Sequence, residues 1–414
     1  MRDSYDVIII GGGPAGTTAA TFLAKAGRSV MILEKEHFPR FHIGESLLPY
    51  SMEALDRLGV RKEMDQRFMP KEGADMVSGC GKSKVRFLFK NGFKLKHTKA
   101  YQVERADFDE MLLRNAEKNG AAVREGCAVR SVDFLENGVR VHTAEGEIEG
   151  KYLIDASGRQ TVLGHHFGLK HQYEHLKKFA VHSHYDGMKF IDAEEQRVIR
   201  IVRAKDRWFW VIPLSMTRTS IGMVMDAADF REARLSPEEA LEQGLREQPV
   251  LWERLQDAQR ATPVRCDGDY SYRNMKFAGD RWILAGDAAG FIDPIFSTGV
   301  FLAILSGENA AKAMDVVLGD QRKQSKVFAR YEKRLNTVMD MYLKFATNWY
   351  DPAFFEVICV PRPPMQLPRA VNAVLAGNLV AGFSIWWRMQ MFYLFVAIQK
   401  RFPIVPRLSL AAAE

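Results

Sequence analysis

The chain has 414 residues, 47% of them hydrophobic, enough to bury a large core in one large or two fused domains. Its 58 lysines and arginines exceed its 51 acidic residues, and the net charge of +7 is spread without a basic run. That argues against nucleic acid and for an anionic ligand or an acidic protein partner. The four cysteines, Cys80, Cys127, Cys266 and Cys359, show no CxxC spacing, and no charged and apolar leader precedes the first strand; reduced thiols and a cytoplasmic location are expected.

The first element is a buried-strand run, Tyr5 to Ile10, followed at once by Gly11-Gly12-Gly13-Pro14-Ala15-Gly16. A helix is expected from about Ala15 to Ala26, and Val30 to Glu34 completes a βαβ start. In such a unit Gly11 permits the tight turn, Gly13 lets the backbone approach a diphosphate, and Gly16 lets helix and strand pack. The diphosphate then sits at the helix N-terminus, beside Pro14 and Ala15. Glu34, 18 residues beyond Gly16, is placed to accept hydrogen bonds from a ribose diol, with Lys35 next to it in the cofactor-binding set.

Further along come a loop with Arg40 and Ile43-Gly44-Glu45-Ser46, the segment Phe68-Met69-Pro70-Lys71-Glu72-Gly73-Ala74, and Arg105-Ala106-Asp107-Phe108-Asp109 before a helix. Ile154-Asp155-Ala156-Ser157-Gly158-Arg159 follows a strand. From about residue 173 to 280 apolar and polar residues alternate in strand-like runs, such as Phe179 to Tyr185 and Ser220 to Met225, which reads as an inserted antiparallel sheet. Within it lies Trp208-Phe209-Trp210-Val211-Ile212-Pro213, whose alternation puts Trp208, Trp210 and Ile212 on one face. His182 and His184 also share a strand face, but no cysteine or carboxylate partner completes a metal site, so no metal is expected.

Arg281 to Gly290 is an apolar strand ending in Gly286-Asp287, followed by small residues that can open a helix. Phe291-Ile292-Asp293-Pro294-Ile295-Phe296-Ser297-Thr298-Gly299-Val300 then leads into an apolar helix. Amides at such a start make a small anion site without a competing carboxylate, and Ser297 or Thr298 also suits the N-cap.

From about Val327 the pattern changes to long helices, then Asn348-Trp349-Tyr350-Asp351-Pro352-Ala353-Phe354-Phe355, then Pro361-Arg362-Pro363-Pro364. Val371 to Trp387 is 17 residues without a charge, short of the ~20 a membrane span needs, and is stopped by Arg388. A second apolar helix, Met389 to Ile398, follows, then Lys400, Arg401 and Arg407. Asn372, Asn378, Gly377 and Gly382 suit close helix contacts, so packing is favoured over peripheral membrane contact by residues 371–398.

Together these motifs resemble the flavin-dependent (FADH2-dependent) halogenase family, within the aromatic-hydroxylase-like FAD superfamily. Trp208 to Pro213 resembles the family's WxWxIP signature, and Gly286-Asp287 resembles the superfamily's second FAD motif, where the aspartate binds the ribityl chain. Arg105 to Asp109 and Ile154 to Arg159 look like its remaining fingerprints; Arg40 and Ser46 match its flavin-contacting loop. Pro294 with Ser297-Thr298-Gly299 resembles the halide segment, which implies halide held by the amides of Thr298 and Gly299. The resemblance further implies FAD supplied as FADH2, O2, and chloride or bromide. Hypohalous acid would form at the flavin and pass a tunnel wall of Trp208, Trp210, Ile212 and Pro213. Lys71 is similar in position to the family's catalytic lysine and would deliver the halogen, by hydrogen bond or as a haloamine.

One departure carries weight: the branch acting on free tryptophan has a glutamate immediately before Ser-Thr-Gly, and this chain has Phe296. The match is better to the branch that halogenates phenols, pyrroles or alkenes, often tethered to an acyl or peptidyl carrier protein, which the basic charge suits. No second dinucleotide fingerprint is seen, so a separate flavin reductase is expected as partner. His42, Tyr50 and Glu45 are candidates to assist deprotonation, and no spacing selects one. The competing reading is an FAD-dependent oxidoreductase of the geranylgeranyl reductase or monooxygenase type, which shares the FAD motifs. The expected architecture is α/β: a Rossmann-type FAD-binding fold over residues 1–335, with the substrate-side sheet at 173–280 inserted, and a helical C-terminal region, 336–414, closing the substrate side.

Overall fold

Val7, Ile8, Ile9 and Ile10 are apolar on both faces of their strand, a pattern stable only where both faces are covered. In the computed structural model, which describes residues 4–93, 95–268, 270–360, 364–378, 382–408 and 410, Ser4–Ile10 lies at the centre of a parallel sheet. Gly146–Asp155 and Val30–Leu33 flank it, with Trp282–Leu284 and Ala122–Arg124 outside them. The first helix, Pro14–Lys25, starts one residue earlier than the sequence pattern suggests, because proline is well suited to a first position whose N–H has no partner. It packs between the helices Arg105–Lys118 and Thr298–Gly319. Its contact with the latter is so close that a Cβ at Gly307 would collide with the Ala15 carbonyl. The expected Rossmann-type fold is present.

The second sheet runs in the order Gln259–Arg260, Lys178–Asp186, Arg218–Asp226, Arg207–Pro213, Val198–Arg203, Gly73–Ser78 and Lys84–Leu88. Neighbours are antiparallel except Val198–Arg203 with Gly73–Ser78, which are parallel. Two strands are thus drawn from outside residues 173–280. Gly73–Ser78 is buried along its whole length, so it lacks the alternation by which the others were recognised. Arg207–Pro213 does alternate as expected: Trp208, Trp210 and Ile212 join the main core, while Phe209 and Val211 pack with Val77, Val202 and Met223 on the other side.

The C-terminal region is helical. Gln324–Trp349 runs unbroken through residues 335 and 336, and is followed by Pro352–Ile358, Leu367–Leu375 and Gly382–Arg401. Residues 361–363 of the proline-rich break, and 379–381 of the long uncharged stretch, lie outside the described residues. Three local expectations are corrected. The small residues after Asp287 form only a short 3-10 turn, and the helix begins at Thr298. Arg388 does not stop a helix: its guanidinium donates to the Ser384 and Met365 carbonyls and lies over the Phe93 and Trp387 rings, so the chain keeps its helical course while the charge reaches the surface. Gly377 does make a close contact, since a Cβ there would lie 2.8 Å from Tyr50 Cβ, but Gly382 faces open space. Among the described residues no helix is long and apolar enough to cross a membrane.

Candidate active site

A cavity of about 1030 Å³ opens at the carboxyl ends of the central parallel strands, where open α/β sheets place their ligands. Gly11, Gly13, Pro14, Ala15, Glu34, Lys35, Arg40, Ser46, Arg105 and Asp287 all line it. Gly16 does not; it packs where a side chain would strike the Gly11 carbonyl. No side chain caps the helix at Pro14, so its N-terminus is available to an anion. Glu34 is fixed at one end of the cavity, accepting from the Gly12 amide at 2.7 Å and the Glu36 amide at 3.0 Å. Also in the lining, the Ser46 hydroxyl and one Glu45 carboxylate oxygen are buried and have no protein partner among the described residues. Uncapped helix, anchored acid and orphaned polar atoms fit a dinucleotide cofactor, and burial pushes the Asp287 carboxyl up to about 6.

Two arginines reach the cavity lining because one buried carboxylate holds both. Asp109 accepts from Arg105 at 2.7 and 2.8 Å, and from Arg40 at 3.1 Å. Burial opposes the Asp109 charge, but the Arg105 guanidinium overrides it and holds the carboxyl below its ordinary range. Sequence reasoning missed Asp109, although its i,i+4 spacing from Arg105 is visible. His42 lies against the same pair, and burial followed by the Arg105 charge lowers it to about 4, so its imidazole is neutral near pH 7.

Trp208, Trp210 and Ile212 form a wall of the cavity, and Pro213 lies outside it. The indole N–H of Trp210 donates to the Ser220 hydroxyl at 3.1 Å and that of Trp208 to the Tyr350 hydroxyl at 3.2 Å. Ser297, Thr298 and Gly299 also line the cavity, at the start of the 22-residue helix Thr298–Gly319. Neither Ser297 nor Thr298 caps this helix with its side chain. Ser297 instead adopts a left-handed conformation, φ 57°, a strained state for a non-glycine residue. Phe296, where a glutamate stands in the tryptophan branch, packs edge to face on Trp349 and against Phe345.

Lys71 stands apart. It does not line the cavity and is 1% exposed. Its ammonium nitrogen donates to the Leu47 carbonyl at 3.1 Å and lies 5.3 Å from the centre of the Phe89 ring. Among the described residues it has no ion-pair partner, and burial lowers it to about 7. The C-terminal region covers the segments on either side: the Asn372 amide donates to the Leu88 carbonyl at 2.5 Å, and Tyr50 N–H donates to the Ala376 carbonyl at 3.1 Å.

The second contact missed by sequence reasoning is His184 with Glu45, 2.7 Å apart and buried. Burial works against the charge on His184, but the Glu45 carboxylate outweighs it and holds the imidazole above its ordinary value. Glu45 is therefore tied to a histidine rather than free to act alone. Among the described residues no group of histidine, cysteine and carboxylate side chains is arranged to hold a metal.

The family described as FAD binding domain matches residues 4–346. A 1H-pyrrole-2-carbonyl peptidyl-carrier-protein chlorinase of Pseudomonas fluorescens is 32% identical over 406 residues, spanning 91% of this chain and 90% of that protein. The corresponding brominase of Pseudoalteromonas luteoviolacea is 35% identical over 323 residues, spanning 75% of this chain and 77% of its own. In structure, a flavin-dependent brominase superposes with a TM-score of 0.85 at 29% identity, covering 96% of this chain and 99% of that one.

Proposed function

As a member of the flavin-dependent halogenase family, the chain is an FAD-dependent halogenating enzyme that uses a halide ion, and we propose that Lys71 delivers the halogen to an electron-rich pyrrole or phenol held on an acyl or peptidyl carrier protein. Family membership displaces the prenyl-reductase alternative. When bound, FAD supplied as FADH2 by a separate reductase turns O2 and halide into an electrophilic halogen.

This chain's own residues then have distinct tasks. The diphosphate would lie at the start of Pro14–Lys25, a ribose at Glu34, and the ribityl chain at Asp287, with Arg40, Arg105 and Ser46 lining the same cavity. Thr298 and Gly299 would hold halide by their amides, at a helix start with no competing side-chain cap. The wall of Trp208, Trp210 and Ile212 would keep the organic substrate from the ring, so the halogen must travel. Its destination is Lys71, and the observation that carries this reading is a desolvated amine bonded to a carbonyl and, among the described residues, without a counter-ion. A neutral amine is a nucleophile toward an electrophilic halogen; an ion-paired lysine would not be. We assign residues 1–335 to the FAD-binding unit and 336–414 to the region that closes the substrate side; Asn372 and Ala376 of the latter bond Leu88 and Tyr50, close in sequence to the Phe89 and Leu47 that meet Lys71. Carrier tethering is inferred from the chlorinase and brominase relatives, and a cytoplasmic setting from the reductase the reaction needs.

The test is to incubate the protein with FAD, a flavin reductase, NADH, O2 and chloride or bromide, and to compare a pyrrolyl-carrier protein with free pyrrole and phenol by mass spectrometry. Halogenated carrier in the wild type, and loss of it in Lys71→Ala with FAD still bound, is the expected result. Equal product from Lys71→Ala would remove Lys71 from the mechanism. Halogenation of free phenol alone would remove the carrier.

A further inference from the structure

The segment Asn348 to Phe355 is assigned no task by the reaction above, yet Tyr350 within it touches both the halide loop and the tryptophan wall. Its hydroxyl donates to Asp293 Oδ2 at 2.7 Å and accepts the indole N–H of Trp208 at 3.2 Å. The other oxygen of Asp293 accepts the Ile295 amide at 2.9 Å, inside the loop that ends at Thr298. Ser271 donates to the Ile292 carbonyl just before it. We propose that Tyr350 is a positioning residue for halide binding: it clamps the Asp293–Gly299 loop to the tryptophan strand and so fixes where the Thr298 and Gly299 amides point. This rests on the reading of those two amides as the halide donors.

Three observations support the clamp. Ser297 is held left-handed, and such a conformation persists only where its surroundings over-determine it. Tyr350 is itself held from behind, since Arg203 donates to its carbonyl at 3.0 Å and the Lys178 ammonium lies 4.0 Å from its ring centre. Finally, Asp293 and Trp208 are 2% and 1% exposed, so water does not replace a lost hydroxyl at either.

Asp293 also gives the clamp a signature in pH. Around its carboxyl stand Tyr350, Tyr270 and Lys178, and Lys178 is itself paired with Asp226. Burial pushes Asp293 up to about 6, against the Ile295 amide, the Tyr350 hydroxyl and the Lys178 charge. Below that pH the carboxyl is neutral; above it, a negative charge shares the loop with the halide site. Halide KM should therefore rise as pH passes upward through about 6.

The experiment measures halide KM and kcat of the FAD-loaded enzyme across pH for wild type, Tyr350→Phe, Asp293→Asn and Gly299→Ala, with FAD affinity and thermal midpoint alongside. Tyr350→Phe should raise halide KM about five-fold or more, with kcat at saturating halide and FAD affinity nearly unchanged. Asp293→Asn should flatten the pH dependence of KM near 6. An unchanged halide KM in Tyr350→Phe overturns the clamp, as does loss of FAD affinity in step with KM, which marks a merely structural role. If Tyr350→Phe does not fold, the pH dependence in Asp293→Asn decides, and its persistence overturns the clamp. Gly299→Ala places a Cβ 3.0 Å from the Phe291 ring and disturbs the halide site directly. No response of halide KM there sinks the halide reading itself, whereas a response to Gly299→Ala with none to Tyr350→Phe sinks only the clamp.

Discussion

Around the cofactor cavity several groups sit in recognisable local motifs, the glycine-rich turn before Pro14 and the helix start at Thr298; around Lys71 no local motif marks the Leu47 carbonyl and the Phe89 ring that meet it. The first region is open, with an uncapped helix start and buried polar atoms awaiting partners. The second is closed: Lys71 is 1% exposed, bonded to the Leu47 carbonyl and beside the Phe89 ring, and Asn372 of the C-terminal region bonds the neighbouring Leu88 carbonyl. The difference teaches that a glycine-rich turn or a helix start announces itself in local sequence, while an enclosed lysine owes its character to burial, which no local pattern records.

The comparison breaks most sharply at Lys71. Lys71→Ala should lower product formation by about 100-fold or more while flavin oxidation continues, because only the delivery end is touched. The wild-type rate should also carry the lysine's titration. Burial lowers Lys71 to about 7, so the amine is protonated below that pH and neutral above it. With the neutral form as the nucleophile, product formation should climb from about pH 6 to about pH 8 and then level. A fall over that range would instead assign delivery to the ammonium as a hydrogen-bond donor.

The next effect belongs to the cofactor side. Asp109→Ala leaves the buried Arg105 guanidinium without its partner and should cost about 3 to 5 kcal/mol in a denaturant titration, with weakened FAD binding. Were Asp109 no more than a surface helix pair, the loss would stay below about 0.5 kcal/mol.

The smallest effect tests the seal. Asn372→Ala removes one hydrogen bond to the Leu88 carbonyl and should cost about 1 kcal/mol of stability, with FAD affinity unchanged and the KM for carrier-bound substrate altered. A change in FAD affinity instead would show that the two regions are not separable.

The same contrast explains what was legible in advance. Gly11, Gly13, Glu34 and Asp287 were readable because the fingerprints fix residue type at those spacings, and all four line one cavity. The strand Gly73–Ser78 was missed because burial on both faces erases alternation. Arg388 misled because a charge reads as a helix end, whereas its long side chain simply reaches out of the helix. Partners such as His184 for Glu45 and Tyr350 for Asp293 are 139 and 57 residues apart, and no periodicity connects them. Gly377 and Gly382 look alike in sequence, yet only the first meets a neighbour.

The crossing of the two helices at Ala15 and Gly307 has a metrical consequence. Each helix presents its N-terminus to the cavity, one for the diphosphate and one, on the reading above, for halide. Their bodies pack so closely that a Cβ at Gly307 would collide with the Ala15 carbonyl, which ties the placement of one start to the other. On the proposed reading the halide seat is thereby indexed to the phosphate seat, as two marks on one ruler. A side chain at position 307 would strike the Ala15 carbonyl and, on that reading, change the spacing between the marks without altering a single residue assigned to either.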